Sequence, residues 1–300
     1  MIYYCCANDL NIGDHFSMLG VKDAVGLSGK EIFLERRKVP LAKELDGLSS
    51  NDVLIIGGGG IIKDYFRKYW LDILKYKKKR NYKIYIFGIG VCDHKHVSKS
   101  TVFEERLIKE IINNSKISYL RPPIPIKDHR IKETFCPSML YIYNKYKNNN
   151  IPIKNQLLYV SHAGLVGKNI DLKIIKLLKE YCKEKGLSYF QVSNIARNKD
   201  GVESIMRKYL SSKIIVTSRL HGYIIGRSLG KKVVAISKDH KIEGFASIIG
   251  DKNPIDVKDV NRNLLFENID NSKAISDKRL LESIKSIKAK GAKIKRFING

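Results

Sequence analysis

Short apolar, β-branched runs alternate with helical patterns along most of this chain, as expected of βα units laid on a parallel sheet. The runs Ile2–Cys6, Val53–Ile56, Lys83–Gly88 and Ile117–Leu120 predict four strands, and Gln156–Ser161, Ser188–Val192, Lys213–Thr217 and Lys232–Ile236 predict four more. The polar stretch from Asn144 to Pro152 separates the two groups and reads as an interdomain linker. In the second group Leu172, Ile175, Leu178 and Cys182 share a helical face, with Asp171 placed to cap its start and Gly186 following its end. In the first, Thr101 to Asn114 puts Leu107, Ile108, Ile111 and Ile112 on one side. Near the end, Ser276 to Lys290 repeats Leu280, Ile284 and Ile287 among lysines, the pattern of a packed closing helix or of a basic amphipathic membrane contact; packing is the favoured reading. The fold class expected is α/β, two Rossmann-like domains facing a cleft, with residues 1–147 as the N-terminal domain and 148–300 as the C-terminal one.

Composition changes this picture little. Three hundred residues, 43% hydrophobic, are enough for two cores. Fifty-six basic against 30 acidic residues give a net charge of +26, which attracts nucleic acid, anionic lipid or small phosphorylated ligands without choosing among them. Solvated lysines on a chain rich in Lys, Ile and Asn account for it equally well. No helix-turn-helix, zinc-finger or RNP-like aromatic motif supports a nucleic-acid partner, and none is assigned. The cysteines Cys5, Cys6, Cys92, Cys136 and Cys182 are odd in number and form no CxxC pair, which predicts free thiols in a reducing compartment. No basic n-region precedes an apolar core at Met1 to Ala7, and no window reaches the ~18 apolar residues of a span. The expectation is a cytoplasmic protein whose membrane contact, if any, is peripheral and made through basic surface at the inner membrane face.

The chemistry concentrates in a few turns. Ser218-Arg219-Leu220-His221-Gly222 follows one predicted strand and opens a helix, joining a guanidinium, an imidazole and helix-start N–H groups into a site for an anion. Gly57 to Gly60 follows Val53–Ile56 and precedes Ile61 to Lys75, which reads as a helix; the glycines suit either close backbone approach to a ligand or a tight turn beneath close packing. No Gly-Lys-Ser/Thr follows, and Ile62 stands where a dinucleotide fingerprint needs its third glycine. Asn11 to Ser17 lies just past the first strand, where an open parallel sheet places its ligand crevice, so Asp14 or His15 is an acid, a base or a hydroxyl binder, or else part of a turn and helix cap. Arg121 and His162 each follow a predicted strand toward the same kind of edge. Cys136, before Pro137, has no His partner implied by position and reads as part of a turn. His94 and His96 alternate so that both rings can share one side of an extended chain, but no third ligand is fixed, and neither metal nor cofactor is assigned.

In order and spacing, Asn11-Ile12-Gly13-Asp14, Gly57–Gly60, Thr217–Gly222 through Val233–Ser237, and Lys241-Ile242-Glu243-Gly244-Phe245 resemble the polysaccharide pyruvyl transferase family, from about residue 1 to residue 250. Ser-Arg-Leu-His-Gly is the specific part. The resemblance implies a GT-B-like fold and transfer of a pyruvyl unit from phosphoenolpyruvate to two hydroxyls of a sugar, forming a cyclic ketal and releasing phosphate. It implies that Arg219 and His221 bind the donor, joined by an arginine at a first-domain strand end; Arg121 matches that position, although Pro122-Pro123 stands here where relatives have an acidic residue. On this reading Arg219 and Arg121 neutralise the donor, His221 stabilises or protonates the leaving phosphate, and Asp14 or His162 orients or deprotonates the acceptor hydroxyl. Asn11, Gly58, Gly59, Gly60, Ser218 and Leu220 complete the substrate contacts. The acceptor expected on the first domain is a lipid-linked saccharide, precursor of a capsule or exopolysaccharide. The alternative is a GT-B glycosyltransferase taking a nucleotide sugar, which a donor screen separates from the first reading.

Overall fold

The computed structural model describes residues 1–35, 40–91, 104–196, 199–251 and 254–300. The chain divides into two compact units: Met1–Asp9, Gly13–Tyr141 and Ser283–Gly300 form one, and Leu10–Ile12 with Ile142–Glu282 the other. The division thus falls inside a helix, ahead of the polar stretch read as a linker. Ser283–Gly300 belongs with the first unit because apolar side chains outweigh position in sequence, as the packing below shows.

The first unit carries β1 (Ile2–Cys6), α1 (Ile12–Val25), β2 (Lys30–Phe33), α2 (Leu41–Asp46), β3 (Val53–Ile56), α3 (Arg67–Arg80), β4 (Lys83–Ile89), α4 (Glu105–Asn113), β5 (Ile117–Leu120), β6 (Ile131–Glu133) and the start of α5 (Ser138–Tyr146). Its six strands are parallel in the order β2-β1-β3-β4-β5-β6. Alternate residues such as Leu54, Ile56, Ile84 and Ile86 join Trp70 and Ile73 of α3 and Leu107 and Ile111 of α4 in one buried cluster. The other face is closed too: Gly57 leaves no room for a Cβ beside Val21 of α1, and the Tyr85 hydroxyl donates to the Phe297 carbonyl at 3.2 Å. Strands covered on both faces read as continuous apolar runs, which is why the sequence betrays them.

The second unit continues with β7 (Lys154–Val160), α6 (Ala163–Val166), α7 (Lys168–Glu184), β8 (Ser188–Val192), α8 (Lys199–Ser211), β9 (Ser212–Thr217), α9 (Leu220–Ser228), β10 (Lys232–Ser237), α10 (His240–Ile249), β11 (Ile255–Asp256), α11 (Arg262–Asn271) and the start of α12 (Asp277–Asn299). Its five parallel strands run β11-β10-β9-β7-β8. Counted within the unit this is second-first-third-fourth-fifth, the order in which the first five strands of the other sheet lie. Chain direction across each sheet therefore reverses once, between β1 and β3 and between β7 and β9, and a doubly wound sheet binds ligands at the carboxyl ends flanking such a point.

Two local readings change and a third is extended. The segment after Gly60 enters a 3-10 turn at Asp64–Phe66 and becomes α-helical only at Arg67, so the glycines do not open a helix. On α7 the buried apolar positions are Ile174, Leu178, Tyr181 and Cys182, while Leu172 is 54% exposed, a face one position round from that expected. The closing helix α12 buries Leu280, Ile284 and Ile287 as the spacing predicts and continues through Ile294. Gly291 lies against α1, where a Cβ would come 2.3 Å from the Ala24 backbone. Among the described residues no helix is long and apolar enough to cross a membrane.

Candidate functional site

On the first unit, Asp14 follows β1, the glycine loop follows β3 and Arg121 follows β5, so all leave the carboxyl edge of the sheet. The loop is a tight one. Gly58 and Gly59 have φ of +95° and +91°, values that L side chains rarely adopt. A Cβ on Gly58 would lie 2.6 Å from the Asp14 carbonyl oxygen, and one on Gly59 2.9 Å from Ala7 Cβ and 3.3 Å from Asp14 Oδ1. Asp14, in the first turn of α1, is thereby brought beside the loop. Arg121 is 5% exposed; its Nη2 donates to the Gly59 carbonyl at 2.8 Å and its Nη1 reaches Cys136 Sγ at 3.4 Å. Cys136 is itself buried near Ser17 Oγ and Ser138 Oγ, at 3.6 and 3.1 Å. Asp14, Gly58, Gly59 and Arg121 form one group, with Gly60 half-buried at the end of the loop. The His15 ring lies nearly perpendicular to that of Phe33, centroids 6.1 Å apart.

Asn11 does not share that group's unit. Leu10–Ile12 pairs antiparallel with the segment after β8: Ile12 N donates to the Asn194 carbonyl at 2.9 Å, Ala196 N donates to the Leu10 carbonyl at 2.8 Å, and Asn11 bridges Ile195.

On the second unit, His162 follows β7 and Ser218 follows β9, on the two sides of the reversal point. Arg219 is the half-exposed N-cap residue of α9, extended at φ −114°, ψ 133°. Its backbone N donates to Thr217 Oγ1 at 3.0 Å and its Nε to the Ser161 carbonyl at 2.6 Å, so both ends of the residue are tied to strand ends. Leu220 and the buried His221 occupy the first turn of α9. Gly222 seats that turn on the sheet, since a Cβ there would lie 2.2 Å from Thr217 Oγ1; Gly226, one turn on, meets Val233 and Ile215 in the same way. The helix start carries partial positive charge, Arg219 adds a full one, and the combination suits a phosphate or carboxylate.

Behind these residues lies a set of buried side chains that motif reasoning missed. Ser218 Oγ accepts from His162 N at 2.9 Å and lies 3.4 Å from the Tyr159 hydroxyl. Tyr159 donates to Asp171 Oδ1 at 2.6 Å, and Ser161 Oγ lies 2.9 Å from both carboxylate oxygens. Burial, followed by the hydrogen bond to Asp171, pushes the Tyr159 hydroxyl far above its ordinary value, so it stays a donor. Asp171 was read as a helix cap; α7 instead begins at Lys168 after Gly167, and Asp171 turns inward. An acidic residue falling on the apolar face of an amphipathic helix was the signal for it. Beside Arg219, Tyr209 is fully buried with its hydroxyl donating to Asn194 Oδ1 at 2.8 Å, and burial raises its pKa. His94 and His96 lie outside the described residues, among which no cluster of three or more His, Cys, Asp or Glu could hold a metal ion.

A family model described as polysaccharide pyruvyl transferase matches residues 11–240. UDP-GlcNAc 2-epimerase from Methanocaldococcus jannaschii has a similar structure, with a TM-score of 0.60 at 12% identity over 99% of this chain and 99% of that one. S. aureus MnaA, solved with UDP, gives 0.56 at 11% identity over 100% and 96%. These likenesses concern the fold, which is that of the GT-B-like two-domain α/β enzymes. No curated protein matches the chain.

Proposed function

The chain belongs to the polysaccharide pyruvyl transferase family, and from that premise we propose that it moves a pyruvyl group from phosphoenolpyruvate onto two hydroxyls of a sugar in a cell-surface polysaccharide precursor. The observation that carries the donor half of this reading is the half-exposed Arg219 guanidinium, held through Nε by the Ser161 carbonyl at the start of α9, with His221 in the turn behind it. Phosphoenolpyruvate offers a phosphate and a carboxylate, each of which a guanidinium grips bidentately and an ammonium does not.

In the reaction the enol carbon gains a proton and becomes a methyl group, and one sugar hydroxyl attacks the adjacent cationic carbon. The C–O bond to phosphate then breaks, and the second hydroxyl closes the ketal. The two hydroxyl protons balance the one taken by carbon and the one leaving with phosphate. Arg219 neutralises the donor, and His221 stabilises or protonates the departing phosphate. Asp14 or His162 orients or deprotonates the acceptor. Asn11, Gly58, Gly59, Gly60, Ser218 and Leu220 make the remaining contacts.

The acceptor proposed is lipid-linked, met at the cytoplasmic membrane face. Support comes from α12, whose solvent side carries Lys285, Lys288, Lys295 and Arg296 beside Phe297, 54% exposed.

The donor is tested by thermal-shift titration. Phosphoenolpyruvate at 100 times its Kd should stabilise the wild type by about 2.7 kcal/mol and do nothing for Arg219→Ala. Stabilisation by a nucleoside diphosphate sugar alone would make the glycosyltransferase the correct reading.

A further inference from the structure

Asp171 is 5% exposed, and among the described residues it makes no ion pair. A buried carboxylate is costly unless its surroundings use it. Here two hydroxyls, Tyr159 and Ser161, donate to it from the carboxyl end of β7. What they hold is the peptide unit between Ser161 and His162. Its carbonyl accepts from Arg219 Nε at 2.6 Å and its N–H donates to Ser218 Oγ at 2.9 Å. One peptide therefore meets two residues of the Ser-Arg-Leu-His-Gly turn, and its orientation about the strand end is set by the Ser161 side chain on Asp171.

We infer that Asp171 is a positioning residue for donor binding: by fixing the Ser161–His162 peptide it fixes the plane in which Arg219 presents its guanidinium. The inference rests on the reading of Arg219 as the donor-binding arginine. A planar fork gains its advantage over an ammonium only when its plane is set in advance, and a carbonyl held on Nε sets it. Tyr159 adds a second path, since its hydroxyl touches both Asp171 and Ser218 Oγ. With the carboxylate gone, Ser161 is free to turn, its carbonyl swings, and Arg219 keeps its charge while losing its aim.

The test is kcat/KM for phosphoenolpyruvate, from phosphate release, for the full chain and for Asp171→Asn, Arg219→Lys and the double variant. Asp171→Asn should lower kcat/KM about tenfold, mostly through KM, whereas in the Arg219→Lys background, where no planar fork remains to be aimed, it should change the value less than about twofold. Any loss of melting temperature should be equal in both backgrounds. Ser161→Ala, which removes only the hydroxyl, should give the same background dependence and serves if Asp171→Asn folds poorly. Equal fold-losses in both backgrounds, or a folded Asp171→Asn with unchanged KM, would overturn the inference while leaving the donor reading intact. A wild type that takes no phosphoenolpyruvate would overturn both.

Discussion

The two sheets share a strand order, yet their carboxyl edges are built differently. On the first unit the candidate residues are held by backbone crowding: glycines at positive φ, a carboxylate beside them, and an arginine that is buried and donates to the Gly59 carbonyl and toward a thiol. On the second they are held by side chains, Thr217, Ser218, Ser161, Tyr159 and Asp171 in a connected series, and the arginine they support is half exposed. An arginine that donates to protein acceptors from a buried position owes most of its value to the loop it braces. One half exposed at a helix start, with its Nε on a strand-end carbonyl, is placed to grip something else.

The difference can be broken by paired substitutions. The largest expected effect is that of Arg219→Ala, which should lower kcat/KM for phosphoenolpyruvate about 10³-fold with little change in melting temperature. Arg121→Lys should show the opposite balance, costing about 1–3 kcal/mol of stability as the Gly59 carbonyl loses the guanidinium and keeps only the longer hydrogen bond from Gly90 N, at 3.3 Å, while kcat/KM falls far less. If calorimetry and phosphate release rank the two the other way, the contrast between the edges is wrong. Smaller is the pair Gly222→Ala and Gly59→Ala. Each should destabilise by about 1–3 kcal/mol, the first by driving α9 off the sheet and the second by backbone strain. The Gly222 variant should also lose phosphoenolpyruvate binding, because Arg219 rides on the helix that moves.

The smallest effect concerns pH. A hydrogen bond from Tyr181, then Lys185, holds the Asp270 carboxyl of α11 below its ordinary value. A carboxylate depressed in the folded state contributes stability above its unfolded pKa of about 4 and loses it as pH falls through the lower folded value. Asp270→Asn should therefore narrow slightly the gap in melting temperature between neutral and acid solution. Asp270 is half exposed, so screening keeps the change small.

All eight predicted strands form, and the three that escaped among the described residues, Lys30–Phe33, Ile131–Glu133 and Ile255–Asp256, have a common cause. Each is the outermost strand of its sheet. An edge strand is short and half solvated, so Lys-Glu-Ile-Phe or Ile-Lys-Glu lacks the apolar run of a strand covered on both faces. The Arg219–His221 turn was legible because strand, turn and helix start are contiguous. Asp171 was not, because its partners are 10 and 12 residues away and the groups they serve farther still. A turn writes its chemistry in consecutive letters, whereas a buried hydrogen-bond series draws on strand and helix positions that only folding brings together. Asn11 shows the same limit in reverse: its motif lies early in the chain, but its backbone pairs at Ile195.

The return of Ser283–Gly300 to the first unit has a consequence for synthesis. Ile284, Ile287 and Ile294 are buried, and Gly291 closes on Ala24, so the face they cover stays open while residues 142–282 are being made. At roughly 5–20 residues per second the nascent first unit waits on the order of ten seconds with apolar surface uncovered. Here the familiar sequence of N-terminal half first is inverted: the second unit is whole before the first can be, and a helix made after it completes what was begun earliest.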